Sequence, residues 1–528
     1  MTDKPNILLI CADQWRADCM SAVGHPNVKT PNLDALAADG VLFENHFGQT
    51  TPCGPSRTSL LTGLYLMNHR SGRNGTPLDA RHTNLALEAR KAGYDPALFG
   101  YTDTTPDPRG KHPNDPALQA YDEGVMPGFI TPMHLPEDMG AWVSDLLAKG
   151  YDFTGRDDVF RPKRNFKKPG DRGFRYIPTE FPAEDDETTF LTDFFLKWLL
   201  VREQKPWFAH FVFFRPHPPF IAPEPYNAAV HPADVAMPFR AATPEAEGKQ
   251  HPLLNFAIDK LRKPGDFDEL SPLDIVTADD LEIRQMRATY YGLVEECDVQ
   301  LGRIIQHLKD TGQYDRTLII VTSDHAEMLG EHYMWSKEIY FDQSFHLPLV
   351  IRDPRPDGAR GVRVTELTQA IDIMPTILDW IGQEVPRTCD GRSLVPFLKG
   401  KTPDDWRDEV YFEHDFRQVR SQAVEKALGI TSDQCCYAVI RGKRWKYVHF
   451  AALPPLLFDL EADPHETINL ATDPAMRDVL LECAQRMLDW RLTAQERTMT
   501  NMHVGKGGLF VRPLSSQGVD VDSGGASG

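Results

Sequence analysis

Short, uninterrupted apolar runs alternate along the chain with longer stretches in which apolar residues recur every three or four positions. Asn6–Cys11 (NILLIC), Ala97–Gly100 (ALFG), Trp207–Phe214 (WFAHFVFF) and Thr317–Thr322 (TLIIVT) are strand-length runs, the pattern of strands covered on both faces. Between them, Glu187–Val201 places Phe190, Leu191, Phe194, Phe195, Trp198 and Leu199 on one helical face. Leu281–Thr311 reads as a longer helix closed by Gly312. This alternation predicts an α/β fold whose large, mainly parallel sheet lies between helices.

Two regions break the rhythm. Residues 104–182 are rich in Pro, Gly and charge, including Lys163-Arg164 and Lys167-Lys168, and read as long insertions over a site. After about Lys401 the pattern becomes that of a smaller α+β subdomain with an antiparallel sheet. There Cys436–Arg441 and Trp445–His449 form a hairpin around a Gly-Lys turn, followed by a helix near Pro474–Thr493. The expected organisation is a catalytic domain over 1–400, a subdomain over 401–500 and a Gly/Ser-rich tail over 501–528.

The strand ends carry the chemistry. The first run leads into Asp13-Gln14 and the second into Tyr101-Thr102-Asp103-Thr104; the third leads into Arg215-Pro216-His217 and the fourth into Asp324-His325. One such ending is ordinarily a turn or helix cap. Four of them point to a shared site, because open α/β sheets bind ligands beyond the carboxyl ends of their strands.

Composition narrows the function. With 57 basic against 76 acidic residues the net charge is −19, which argues against nucleic acid or an anionic membrane as partner. An anionic substrate would need a local cluster of cations or a metal. The longest apolar runs are strand-sized, so no membrane span is expected. No secretory leader is read in Met1–Cys11, and the eight cysteines contain no CxxC pair. Both features predict a cytoplasmic protein without a disulfide framework or structural zinc. The vicinal Cys435-Cys436 pair reads as two faces of a strand.

The sharpest motif is Cys53-Gly54-Pro55-Ser56-Arg57, running on to Thr62-Gly63. It sets a thiol just before Pro55, a favoured first helical residue, with Thr62-Gly63 as the helix end. The helix N-terminus and Arg57 then offer positive potential near residue 53. A phosphatase loop built on a plain thiolate needs Arg six positions after its Cys, and position 59 is Ser. That chemistry is excluded.

The motif resembles the sulfatase signature Cys/Ser-x-Pro-Ser/Ala-Arg-x-x-x-x-Thr-Gly of the alkaline phosphatase superfamily. Asn6–Asp18, Asp324-His325 and Leu457–Ala471 (LFDLEADPHETINLA) extend the likeness over nearly the whole chain. Gly63–Arg70 (GLYLMNHR), Arg215–Phe220 (RPHPPF), Met286–Tyr291 and Tyr447–Pro455 (YVHFAALPP) are most similar to the bacterial phosphonate monoester hydrolases.

The resemblance implies an alkaline-phosphatase-like core and a metal-dependent hydrolase of phosphonate monoesters and phosphate diesters. Sulfate monoesters would be side substrates, and an arylsulfatase of the same fold is the alternative. It implies that Cys53 is oxidised to formylglycine (3-oxoalanine) by a formylglycine-generating enzyme. Asp13, Cys53, Asp324 and His325 would hold one divalent ion, Mn²⁺, Ca²⁺ or Zn²⁺. Gln14 stands where many sulfatases carry a further Asp and is left out of that set. Arg57 and Lys337 would stabilise charge on the ester oxygens, and His217 would protonate the departing oxygen. Asn74, Tyr101, Thr102 and Thr104 would contact substrate. Asp103 interrupts the threonines; either its carboxylate points away from the anionic ester, or preference shifts towards a less charged or partly cationic one. The relatives imply a homodimer or homotetramer, with 501–528 as an intersubunit arm. A pseudoenzyme that only binds anionic esters is the reading from another class; the full set of nucleophile, ligands and cations argues against it.

Overall fold

The computed structural model describes residues 4–119, 124–136, 138–202, 205–262 and 274–511. Nine strands form one sheet: β1 (Asn6–Asp13), β2 (Val41–Phe47), β3 (Ala97–Gly100), β4 (Ile130–His134), β5 (Phe208–Pro216), β6 (Thr317–Ser323), β7 (His346–Leu347), β8 (Leu349–Arg352) and β9 (Val362–Gln369). Their order is β4-β3-β5-β1-β6-β8-β2-β7, with β9 also pairing to β2. The first five strands of that order run parallel, whereas β8 lies antiparallel between β6 and β2. The sheet is therefore mainly parallel, as the sequence pattern predicts.

Every residue of β1, β3, β5 and β6 is buried, which is why these strands read as unbroken apolar runs. The helix Glu187–Leu200 packs Leu191, Phe195 and Leu199 inward, and its Asp186 cap accepts from the Thr188 amide. Phe195 meets both Phe99 and Phe211, at ring-centroid distances of 4.8 and 5.2 Å. The long helix Asp280–Asp310 is capped by the Asp279 side chain. From its middle, the Tyr290 hydroxyl donates to the Gln14 carbonyl at 2.7 Å and accepts from the Arg16 amide at 3.0 Å. A core helix thus fixes the turn that leaves β1.

The 104–182 stretch does more than cover a site. It supplies β4, an edge strand, and the helix Gly140–Ala148, whose Trp142, Val143 and Leu146 are buried. Its 124–126 segment folds back on the β3 loop, where the Gly124 carbonyl accepts from the Thr104 amide at 3.0 Å.

A second sheet, β10 (Glu409–Asp415), β11 (Cys436–Gly442), β12 (Trp445–Phe450) and β13 (Leu456–Asp459), is antiparallel throughout. The β11–β12 hairpin and the helix Arg477–Thr493 match the expected elements. Cys436 opens β11, while the fully buried Cys435 lies just before it. The two sheets share no strand. Buried charge ties the second sheet to the segment just before β7: Lys446 on β12, 0 % exposed, donates to Asp342 at 2.7 Å and pairs with Glu466. Removing one member of such a buried network typically costs about 3–5 kcal/mol, because the remaining charges lose their compensation.

A last hairpin, β14 (Met502–Gly505) and β15 (Gly508–Val511), is exposed along both strands. The Gly/Ser-rich remainder of the expected tail lies outside the described residues. Among the described residues no helix is long and apolar enough to cross a membrane.

Candidate active site

Register delivers the site. Ala12 pairs with Ser323 and Asp13 with Pro216. Asp13, His217 and Asp324-His325 consequently leave the sheet at one carboxyl-terminal edge. Across that edge lies the buried helix Cys53–Thr62, two residues longer at its start than Pro55 suggests and ended by Gly63 at φ 68°. The Ser56 hydroxyl donates to the Asp324 carbonyl and pins this helix to the end of β6.

One ligand atom each from Asp13, Cys53, Asp324 and His325 falls within a set spanning at most 4.8 Å, and all four residues are buried. Cys53 Sγ lies 3.1 Å from His325 Nε2 and 3.9 Å from an Asp13 oxygen. His325 Nδ1 is 3.2 Å from the Ala326 carbonyl, so the Nδ1–H tautomer turns Nε2 towards the cluster as a lone pair.

Arg57 sits beneath these groups. Its Nη2 donates to Asp13 at 2.7 Å, its Nε to Asp324 at 2.9 Å and its Nη1 to the Tyr101 carbonyl at 3.3 Å. The guanidinium thus grips the two acidic ligands, and its effect on a substrate passes through them. Tyr101 stacks over it at 4.0 Å and donates its hydroxyl to Asp13 at 2.8 Å. Lys337 Nζ donates to Gln14 Oε1 at 2.8 Å, and Gln14 Nε2 donates to Glu327. Gln14 therefore holds the lysine.

The remaining expected residues serve the walls. Asn74 Oδ1 accepts from the Gly54 amide at 2.9 Å, fixing the residue after Cys53. The Thr102 hydroxyl donates to the Gly124 carbonyl at 3.0 Å and accepts from the Met126 amide at 2.8 Å. Thr104 donates back to the Thr102 hydroxyl at 3.2 Å. Both threonines hold their own loop. His217 is half-buried, with Nδ1 at 2.7 Å from the Pro218 carbonyl.

Electrostatics separate the groups. Burial raises the Asp13 carboxyl, but His217, Arg57 and Lys337 outweigh it and hold it well below the usual range. Burial and the neighbouring Asp13 charge push Asp324 upward against Arg57 and Lys337. Burial, with Lys337 adding to it, holds His325 neutral. Burial and Asp13 raise the Cys53 thiol well above its ordinary value. Burial alone would lower Lys337, yet Cys53, Asp13 and Asp324 keep it charged. A neutral imidazole beside two mutually repelling buried carboxylates fits a divalent cation. An unmodified thiol among these side chains is a poor nucleophile.

Two supports escape the sequence reading. Glu327, three residues after Asp324, accepts from the Leu329 amide at 3.1 Å and the Ser336 amide at 2.7 Å, shaping the loop that carries Lys337. Arg215 is fully buried and donates to the carbonyls of His217 at 3.2 Å, Pro219 at 2.9 Å and Ile221 at 3.3 Å. It knots the loop that presents His217. The only sequence signal was an Arg at a strand end, two residues before the histidine.

The sulfatase family profile matches residues 5–383, and the C-terminal profile of N-sulphoglucosamine sulphohydrolase matches 330–493. The chain is 46% identical over 518 residues to the multifunctional alkaline phosphatase superfamily protein PehA of Trinickia caryophylli, covering 97% of this chain and 100% of that one. The crystal structure of phosphonate monoester hydrolase of Agrobacterium radiobacter superposes with a TM-score of 0.91 at 48% identity, covering 97% of this chain and 100% of that one. The phosphonate monoester hydrolase SpPMH from Silicibacter pomeroyi gives 0.90 at 41% identity, covering 96% and 99%.

Proposed function

The chain belongs to the sulfatase family, and from that premise we propose that it hydrolyses phosphonate monoesters and phosphate diesters at Cys53, with sulfate monoesters as side substrates. The observation that carries this reading is the buried Asp13–Cys53–Asp324–His325 quartet, set between Arg57 and Lys337 in a fold shared with two phosphonate monoester hydrolases.

Asp13, Asp324, His325 and the oxidised side chain of residue 53 would hold one divalent ion, Mn²⁺, Ca²⁺ or Zn²⁺; bound there, it would supply charge stabilisation, and the formylglycine hydrate an oxygen nucleophile. The chain's own residues do the rest. Arg57 fixes the orientation of Asp13 and Asp324 through Nη2 and Nε. Lys337, steadied by Gln14, keeps a positive charge beside residue 53 for the negative charge that grows on the ester oxygens. His217, presented by the Arg215 knot, donates a proton to the departing oxygen. Tyr101 and Asn74 hold Asp13 and Gly54 in place, while the Thr102–Thr104 loop closes the wall. Cys53 is 2 % exposed at the head of a buried helix, so a formylglycine-generating enzyme would reach it before the chain has folded.

The test is a comparison of kcat/KM for p-nitrophenyl phenylphosphonate, a p-nitrophenyl phosphate diester and p-nitrophenyl sulfate. The phosphonate and diester should exceed the sulfate by at least about tenfold, a barrier difference of ~1.4 kcal/mol. Sulfate leading by orders of magnitude would make the chain an arylsulfatase.

The expected assembly is a homodimer or homotetramer. Its support is the β14–β15 hairpin, with Val504 78 %, Leu509 62 % and Phe510 59 % exposed. An isolated two-stranded hairpin is marginal in water, and a second copy covering it would bury those side chains. Light scattering that returned a monomer mass would remove this expectation.

A further inference from the structure

Three carboxylates converge on one guanidinium. Asp13 and Asp324 lie 2.7 and 2.9 Å from Arg57, and Asp103 lies 3.6 Å from its Nη1. The first two belong to the quartet; Asp103 does not. It is 5 % exposed, so solvent screens its charge weakly.

Asp103 is also close to the reacting residue. A Cβ built on Gly54, next to Cys53, would stand 2.8 Å from the Asp103 carbonyl and 3.5 Å from its Cβ. The loop around it is stiff, because Thr102 and Thr104 are tied to each other and to Gly124. Its backbone sits at φ 50°, in the left-handed region that Asp and Asn adopt more readily than other side-chain-bearing residues. The carboxylate is held where it is.

We propose that Asp103 sets the charge of the ester this site accepts, disfavouring doubly charged phosphate monoesters relative to singly charged esters. This rests on the reading given under Proposed function and specifies its substrate class. Phosphonate monoesters, phosphate diesters and sulfate monoesters each carry one negative charge at neutral pH, whereas phosphate monoesters carry close to two, their second pKa being about 6. Coulomb energy is linear in ligand charge. A fixed carboxylate therefore repels a monoester about twice as strongly as the other three, whatever the remaining charges of the site.

Phenyl phosphate and phenyl sulfate have the same shape and differ in charge, so at pH 8 they isolate this effect. On a Cys53→Ala background, which removes turnover, Asp103→Asn should raise the ratio of phenyl phosphate to phenyl sulfate affinity by roughly tenfold or more in isothermal titration calorimetry. With Cys53 intact, the ratio of kcat/KM for p-nitrophenyl phosphate to that for p-nitrophenyl sulfate should rise likewise. Asparagine keeps the left-handed backbone, and both ratios compare two ligands on one protein, so partial loss of metal or folded protein divides out. Either ratio staying within twofold of its value with Asp103 present overturns the proposal. A chain that fails to cleave phosphonates and diesters, yet shifts the affinity ratio, would overturn the catalytic reading and leave the charge filter standing.

Discussion

Cys53→Ala folds normally and loses at least about 10³-fold in kcat/KM on every ester it is given, the scale expected when a nucleophile is removed. The size of the effect follows from position. Sγ is the atom of residue 53 that meets His325 Nε2 and the Asp13 carboxylate, and no other described thiol or hydroxyl reaches both. Alanine removes only that atom from a helix already buried on all sides, so the melting temperature should shift by no more than a few degrees, the range for about 1 kcal/mol in a large domain. Mass spectrometry of the peptide spanning residue 53 of the parent protein should show the aldehyde in place of the thiol. Full activity in the alanine variant would sink the assignment. A parent protein that is active while carrying an intact thiol would retain Cys53 as the nucleophile but remove the modification.

The same geometry explains which parts of the molecule were legible before folding. β1, β3, β5 and β6 announce themselves as apolar runs because helices or loops cover both faces, and their register then forces Asp13 and Asp324 together. β2, β8 and β9 do not stand out. β8 has only four residues, and β9 mixes exposed polar positions in its first half with buried ones at its end, so it carries no unbroken apolar run. The Cys53 motif was readable because its spacing is covalent. The partners of its side chains were not, since they depend on where distant strands end. Arg57 reads as a cation for substrate and proves to be fastened to Asp13 and Asp324. Thr102 and Thr104 read as substrate contacts and hold the Gly124 loop. Arg215 is visible in the sequence only as an Arg at a strand end, and its role emerges when the carbonyls of residues 217, 219 and 221 curl around it. Net charge had the same limit: −19 describes the whole surface, while the site depends on a handful of buried charges.

Those buried charges make metal removal the second large effect. Stripping the protein with a chelator should lower kcat/KM by at least about 10³-fold, comparable to loss of the nucleophile. It should also lower the melting temperature by on the order of 5 °C, because an ion bound only in the folded state stabilises it by a few kcal/mol at saturating concentration. The physical ground is the pair of ligand carboxylates, Asp13 and Asp324, buried side by side among the atoms that would meet the ion. Burial and the Asp13 charge already push Asp324 towards protonation, and an added divalent cation reverses that repulsion. The two readouts work together. Activity alone would fall if the chelator merely competed with substrate, whereas a loss of thermal stability requires an ion bound to the folded protein. Asp324→Asn removes one ligand charge, so chelation should destabilise that variant less than the parent protein. A stripped parent protein that keeps both its activity and its melting temperature would mean that Asp13, Asp324 and His325 hold no ion, and Arg57 would then be the main counter-charge of the two carboxylates.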